Sequence, residues 1–263
     1  MSGILNDDVL DGFRVEIDAA RERGDIVLDR PPLNVISMRQ RDQLRRAFEE
    51  LDADERIRII VLRSAGQHFS SGGQIGSFLE VSPEEVSNLA WNIGAPARCG
   101  KPVIAANRGY CFGAAFELSL ACDFRLASET CLYALPEQRL GQIPGSGGAA
   151  RLQKIAGITR AKDAIMRSKR IPAQQAVQWG IATECVNDSV LESATDALAD
   201  ELRAFSPLAQ RTAKRLINDS DDASLSTAIA LEGHCYSRLR MSDDFREGVL
   251  AFGEKRPPKF RGA

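Results

Sequence analysis

Two carboxylates stand out in this chain because of what surrounds them. Glu117 lies within Gly113-Ala114-Ala115-Phe116-Glu117-Leu118-Ser119-Leu120-Ala121, and Glu137 within Tyr133-Ala134-Leu135-Pro136-Glu137. Ionised glutamate is rarely buried without a partner, because leaving water is costly unless the charge is paired or neutralised. Two readings follow. The acids are structural and salt-bridged, or they are a pair of general acid/base groups at the ends of two elements that meet in space. In the second case their like charges would raise one pKa and keep an acid available at neutral pH.

Other chemistry-bearing residues are sparse. The stretch Ser64 to Ile75 contains Gly72-Gly73 at the exit of an apolar run, where missing side chains let a ligand approach the backbone; a plain loop is the alternative. His68 has no metal or nucleophile motif around it and reads as a loop-packing residue, and His234 sits on a helical stretch with no partner. The six cysteines (99, 111, 122, 131, 185 and 235) show neither CxxC pairs nor metal spacing, so they read as packed free thiols in a reducing, cytoplasmic setting without a metal site.

Net charge is -2, which gives no electrostatic case for nucleic acid or an anionic membrane surface. Met1 to Asp8 lack the basic and apolar regions of a secretory signal, and no apolar run approaches the roughly 20 residues needed to span a bilayer. At 263 residues the chain can bury one large core.

The elements that must position the acids follow from spacing. Residues 12–29 predict a hairpin turning at Arg23-Gly24-Asp25 and ended by Pro31-Pro32. Ser37 opens a helix with Leu44, Ala47, Phe48 and Leu51 on one face. Ile57 to Leu62 reads as a buried strand. Ser82-Pro83-Glu84-Glu85 opens a helix over 83–98. Lys101 to Ala106 is a strand, Ala114 to Ala121 a helix and Phe124 to Ala127 a strand. Helices follow at 145–156, 159–167 and Ala173 to Gly180, then a strand over Ile181 to Val186. From 189 onward the pattern is helical (189–204, 207–218, 223–240 and 242–254). The order predicts an α/β core over 1–190 and a helical region over 191–263.

These segments, taken together, resemble the crotonase (enoyl-CoA hydratase/isomerase) superfamily. The resemblance runs from about Arg30 to Phe260. It rests on Phe69 to Gly73, Pro102 to Ala106, Gly113 to Asp123, Leu135-Pro136-Glu137, Gly141 to Gly145, Ala173 to Gly180 and Arg246-Glu247-Gly248. It implies a spiral of ββα repeats with an α-helical C-terminal trimerisation region, hence a homotrimer or a dimer of trimers. It implies an acyl-CoA substrate, with coenzyme A as part of that substrate and no other cofactor. Two backbone N–H groups, carried over to Gly73 and Ala114, would form an oxyanion hole for the thioester enolate. Glu137 follows Glu117 by twenty residues, the spacing of the family's two catalytic glutamates, which favours reversible syn hydration of a 2-enoyl-CoA to a 3-hydroxyacyl-CoA by a hydro-lyase.

Leu33, Ser71, Gln74, Ile75, Phe78, Phe116, Pro136 and Gly145 would contact the substrate; Phe252 and Lys255 would reach the CoA nucleotide of a neighbouring subunit. Gln74 and Ala114-Ala115 depart from the usual Asp and glycines. Another reaction of the family, such as isomerisation or thioester hydrolysis, and a non-catalytic scaffold stay open.

Overall fold

A computed structural model describes residues 9–263, so the reading made on Met1 to Asp8 falls outside the described residues. Strands β1 (Phe13–Asp18) and β2 (Arg23–Leu28) form the expected hairpin, but its turn is Ala19 to Glu22. The Asp18 carboxylate accepts the N–H groups of Ala20 and Arg21, at 3.0 and 3.1 Å, which makes an Asx turn there. Arg23-Gly24-Asp25 belongs to the strand interior. Arg23 and Asp25 are buried against each other, and a side chain on Gly24 would come within 2.6 Å of Leu51.

Ser37 caps helix α1 (Met38–Ala53) in a full capping box with Gln40. Strand β3 (Ile59–Ser64) follows. The stretch expected as one helix over 83–98 is three short ones, α2 (Pro83–Ser87), α3 (Leu89–Ile93) and α4 (Ala95–Arg98). Pro96 cannot donate a backbone bond and Gly94 is a weak helix former, so the chain re-nucleates rather than continuing. Strands β4 (Val103–Asn107) and β5 (Tyr110–Phe112) lead into α5 (Ala114–Leu120), and β6 (Phe124–Ser128) and β7 (Leu132–Ala134) lead into a 3₁₀ turn at Glu137–Leu140.

Helices α6 (Gly148–Ala156) and α7 (Ile158–Met166), the short strand β8 (Ile171–Pro172), α8 (Ala173–Gln178) and β9 (Glu184–Val186) complete the α/β part. The last strand is shorter than the expected Ile181 to Val186. Helices α9 (Leu191–Arg203), α10 (Pro207–Ser220), α11 (Leu225–Leu239) and α12 (Asp243–Glu254) follow.

The large sheet has the order β1-β2-β3-β4-β6-β9, antiparallel only between β1 and β2; the small one is β5-β7-β8, with β5 and β7 parallel. The chain therefore alternates between sheets, β4 to β5 and then β6 to β7, with α5 between the two turns of the spiral. This is the α/β spiral with a helical C-terminal region that the resemblance implies. Its core is the stack of β2, β3 and β4 against α1 and α5, where Ile26, Leu28, Phe48, Ile60, Leu62 and Phe116 are fully buried. Each such side chain contributes about 1.5–3 kcal/mol of transfer free energy. No described helix is long and apolar enough to cross a membrane.

Candidate active site

The spiral brings the two acids together because their elements are neighbours in it. Glu117 is on α5, and Glu137 opens the 3₁₀ turn that leaves β7. Asn107, at the end of β4, holds these elements to each other. Its Oδ1 accepts Ser119 Oγ from α5 at 2.8 Å and the Tyr133 hydroxyl from β7 at 3.0 Å, all within the core. Arg125 on β6 donates to the carbonyls of Ser119 and Cys122 and steadies the end of α5, where a cation suits the helix dipole.

Glu117 is 3 % exposed, and its Oε1 accepts the backbone N–H groups of Ser146 at 2.7 Å and Gly148 at 3.0 Å. Those donors open α6. The helix begins at Gly148 rather than at 145 because Ser146 and Gly148 turn their N–H groups on the carboxylate, and Gly147 sits at φ 95°, in the region glycine tolerates. A side chain on Gly148 would come within 2.9 Å of Glu117 Cγ. Burial raises the Glu117 pKa, and the two N–H donors, Arg41 and Arg151 oppose that rise.

Glu137 differs. Burial pushes its pKa up to about 7, against an opposing bond to its own backbone, with the charge of Glu117 adding a smaller push. Its Oε2 is buried with no hydrogen-bond partner among the described residues. Its Oε1 lies 3.1 Å from where a side chain on Gly113 would begin, which places the carboxyl over the turn into α5. Neither acid forms a salt bridge among the described residues, so the reading as a salt-bridged structural pair does not hold.

The glycine loop packs onto the same turn. Ser70 and Cys111 form a parallel bridge, and a side chain on Gly72 would meet Phe112 O at 2.8 Å and Gly113 Cα at 3.7 Å. The two turns thus touch backbone to backbone. Around Gly73 the N–H groups are committed: Gly72 donates to Ser70 Oγ at 3.0 Å and Gln74 to Ile36 O at 2.9 Å. No acceptor among the described residues takes the N–H of Gly73 itself. Ala114 is the first residue of α5, where N–H groups have no partner within the helix. Gly113, at φ 52°, ψ -127°, makes the bend that aims them.

The remaining sequence-predicted residues divide. Leu33 O accepts the Ser71 N–H at 2.8 Å, so both edge the loop. Gln74 is exposed, and Ile75 and Phe78 stand partly exposed on the 3₁₀ turn Ile75–Leu79 directly after Gly73. Pro136 precedes the turn that carries Glu137, and Gly145 lies exposed beside Ser146. Phe116 has no exposed surface; its ring packs 4.9 Å from that of Tyr133 and backs the site from the core. Phe252, 88 % exposed, and Lys255 belong to α12, which is anchored elsewhere through Asp244, Ser206 and the C-terminal backbone.

His68 accepts the Tyr110 N–H and stacks on its ring at 4.2 Å, a packing role. All six cysteines are free thiols. The described residues contain no His/Cys/Asp/Glu cluster suited to a metal.

Sequence reasoning missed four residues here. Ser146 and Gly148 hold Glu117, and Pro144-Gly145-Ser146-Gly147-Gly148 carried the signal, a glycine-rich break just before a helix. Arg151 returns from α6 to donate to Ser146 O at 3.3 Å. Arg41 is buried on the apolar face of α1, at the spacing of Leu44, Phe48 and Leu51, where a charge breaks the pattern.

An α/β spiral with two apolar-set acids, and with N–H groups at two touching turns that no acceptor among the described residues takes, has the donors to stabilise negative charge that builds on an oxygen. The model of the Enoyl-CoA hydratase/isomerase family matches residues 24–263, and the chain belongs to that family. It is 33% identical over 248 residues to the carnitinyl-CoA dehydratase of Proteus mirabilis, covering 90% of this chain and 94% of that protein. It is 31% identical to a probable mitochondrial enoyl-CoA hydratase 2 of Arabidopsis thaliana, over 90% of this chain and 81% of the relative. Among solved structures, the enoyl-CoA hydratase from Bacillus anthracis superposes with a TM-score of 0.91 at 31% identity, covering 96% of this chain and 100% of that one.

Proposed function

We propose that the protein catalyses the reversible addition of water to a 2-enoyl-CoA, giving a 3-hydroxyacyl-CoA. The observation that carries this reading is the unequal pair of acids. Glu117 receives two backbone N–H bonds and faces two arginines, which favour its anion; Glu137 has an unpartnered buried oxygen and a pKa of about 7. Burial raises both pKa values, but at Glu117 two N–H bonds and two arginines hold the rise back, so Glu137 is the better placed of the two to donate a proton and Glu117 to accept one, as hydration requires.

In this scheme the thioester oxygen lies between the N–H groups of Gly73 and Ala114. As water adds at C3, charge moves through C2 onto that oxygen, and the two donors stabilise it. Glu117 takes the proton from the attacking water. Glu137 supplies the proton that ends on C2, and dehydration runs the same steps in reverse. Both acids act from one side, consistent with syn addition. Ile75, Phe78 and the loop edges Leu33, Ser71 and Gln74 line the approach, and Pro136 and Gly145 frame the acids. An oxyanion hole alone would serve isomerisation or thioester hydrolysis as well; two differently poised carboxyls favour hydration.

Two further features complete the proposal. The CoA portion is the only activated group needed, so no separate cofactor is invoked. The assembly is a homotrimer or dimer of trimers in which Phe252 and Lys255 serve a neighbouring subunit's nucleotide. A loss of absorbance at the enoyl thioester band, followed with crotonyl-CoA and branched, aromatic and alicyclic enoyl-CoAs, tests the activity. Turnover of none of them would overturn it.

A further inference from the structure

Arg41 favours the Glu117 anion through space but makes no hydrogen bond to it, so the acid–base scheme leaves its Nε donor unused. It is 2 % exposed in the first turn of α1, on the stripe that otherwise buries Leu44, Phe48 and Leu51. A guanidinium stays charged in proteins, and burying one without a partner is costly. Its Nε nevertheless has no hydrogen-bond partner among the described residues. Burial pulls its pKa down, and the opposing influence is the charge of Glu117, acting through space without a hydrogen bond.

Its place is specific. Nη2 fills the space that a side chain on Gly73 would occupy, and Cζ lies 5.3 Å from the centre of the Phe78 ring. Arg41 therefore sits beside the proposed thioester site, on the side of the acyl-facing turn. The charges nearby do not cancel. Arg41 and Arg151 both act on the single carboxylate of Glu117, two positive charges against one negative. Arg151 has an acceptor in Ser146 O; Arg41 Nε does not.

We infer that Arg41 is a specificity-determining residue that receives a carboxylate on the acyl portion of the substrate, so that the favoured substrates are mono-CoA thioesters of unsaturated dicarboxylic acids. This rests on the acyl-CoA reading proposed above. The Nε–Nη2 edge of a guanidinium matches the two oxygens of a carboxylate, and such a pair supplies both the missing bond and the missing charge. An uncharged acyl chain leaves the guanidinium unpaired, and a chain ending in a quaternary ammonium is repelled.

The test is calorimetric titration of the wild-type protein with saturated thioesters, which bind without turnover. Glutaryl-CoA is compared with pentanoyl-CoA, and succinyl-CoA with butyryl-CoA, each pair having equal carbon number. At least one carboxylated thioester should bind roughly tenfold or more tightly than its uncharged counterpart, the size expected for a charge-assisted hydrogen bond. Arg41→Leu should abolish that preference by weakening the carboxylated ligand, and Arg41→Lys should restore part of it. Equal affinities in the wild-type protein overturn the inference whatever the variants do. So does a preference that persists in Arg41→Leu with a native circular dichroism spectrum. Binding of all four alike removes only the role of Arg41, whereas binding of none removes the acyl-CoA site itself.

Discussion

Glu117 and Glu137 share a residue type and a site, yet their environments separate them. Burial raises both pKa values; two N–H bonds and nearby guanidinium charge hold back the rise at Glu117, whereas at Glu137 only a bond to its own backbone does so. Glu117→Gln and Glu137→Gln should each lower turnover by roughly 10²–10⁴, the range for a positioned acid or base, with a near-native fold; steady-state assays on the preferred enoyl-CoA check this. Wild-type rates in either variant would exclude the two-acid scheme.

Glu137 also links stability to pH. Its folded pKa lies above the unfolded value, so the native state holds the proton more tightly, and the cost of ionising it builds up as pH rises from about 4.5 to about 7. Glu137→Gln removes that cost. The variant should match the wild type at pH 4 and be more stable at pH 8, by about 1–2 kcal/mol once solvent screening of a half-buried carboxyl is allowed for. Denaturant unfolding at the two pH values measures the difference, and a variant no more stable at pH 8 would contradict it.

At the scale of elements, what matters is how chain ends are aimed. Helix α5 contributes the N–H of Ala114 at its start and the carboxylate of Glu117 one turn later; α6 contributes its own start to hold Glu117. The short helix α5 is wholly buried and packs the core, and its first turn is also a source of oriented N–H groups. Proline is tolerated in a first helical turn and lacks only the N–H, so Ala114→Pro should keep the fold and lose about 10²–10³ in turnover. Retained activity in a folded Ala114→Pro protein would exclude Ala114 as a donor to the oxyanion.

At the scale of the whole molecule, the C-terminal helices are unfinished as a single chain. None of the fifteen residues of α11 is buried, and Leu225, Ile229 and Tyr236 stand exposed on it, with Phe245, Val249 and Phe252 exposed on α12. Apolar surface on this scale marks an interface. If that interface is the one in the proposed assembly, light scattering at micromolar concentration gives a trimer or hexamer. Lys255 ends α12 in a left-handed conformation at φ 54°, with its flexible ammonium free to meet a phosphate. Lys255→Ala should raise KM several-fold with kcat nearly unchanged, as loss of binding remote from the reacting carbons does. A monomer, or an unchanged KM, would remove the inter-subunit contact and leave the acids in place.

The local signals were legible because they depend on few neighbours. Ser37 and Ser82 marked helix starts through capping chemistry, β-branched runs marked β3 and β4, and the apolar setting of Glu117 and Glu137 marked them as acids out of the ordinary. Short-range expectations failed where a distant residue decided: Leu51 and the buried Asp25 pair drew Arg23-Gly24-Asp25 into a strand, and the carboxylate of Glu117 took the N–H groups that would have extended α6 backward. The sequence by itself determined the order of the longer strands and helices, though not the short strands β5, β7 and β8, and it singled out Glu117 and Glu137. Only the tertiary structure decided how unequally burial and neighbouring donors act on the two carboxyls and which arginine lies beside Gly73. Those properties arise from desolvation and from charges and dipoles on other turns of the spiral, and their strength depends on distances that sequence spacing does not record.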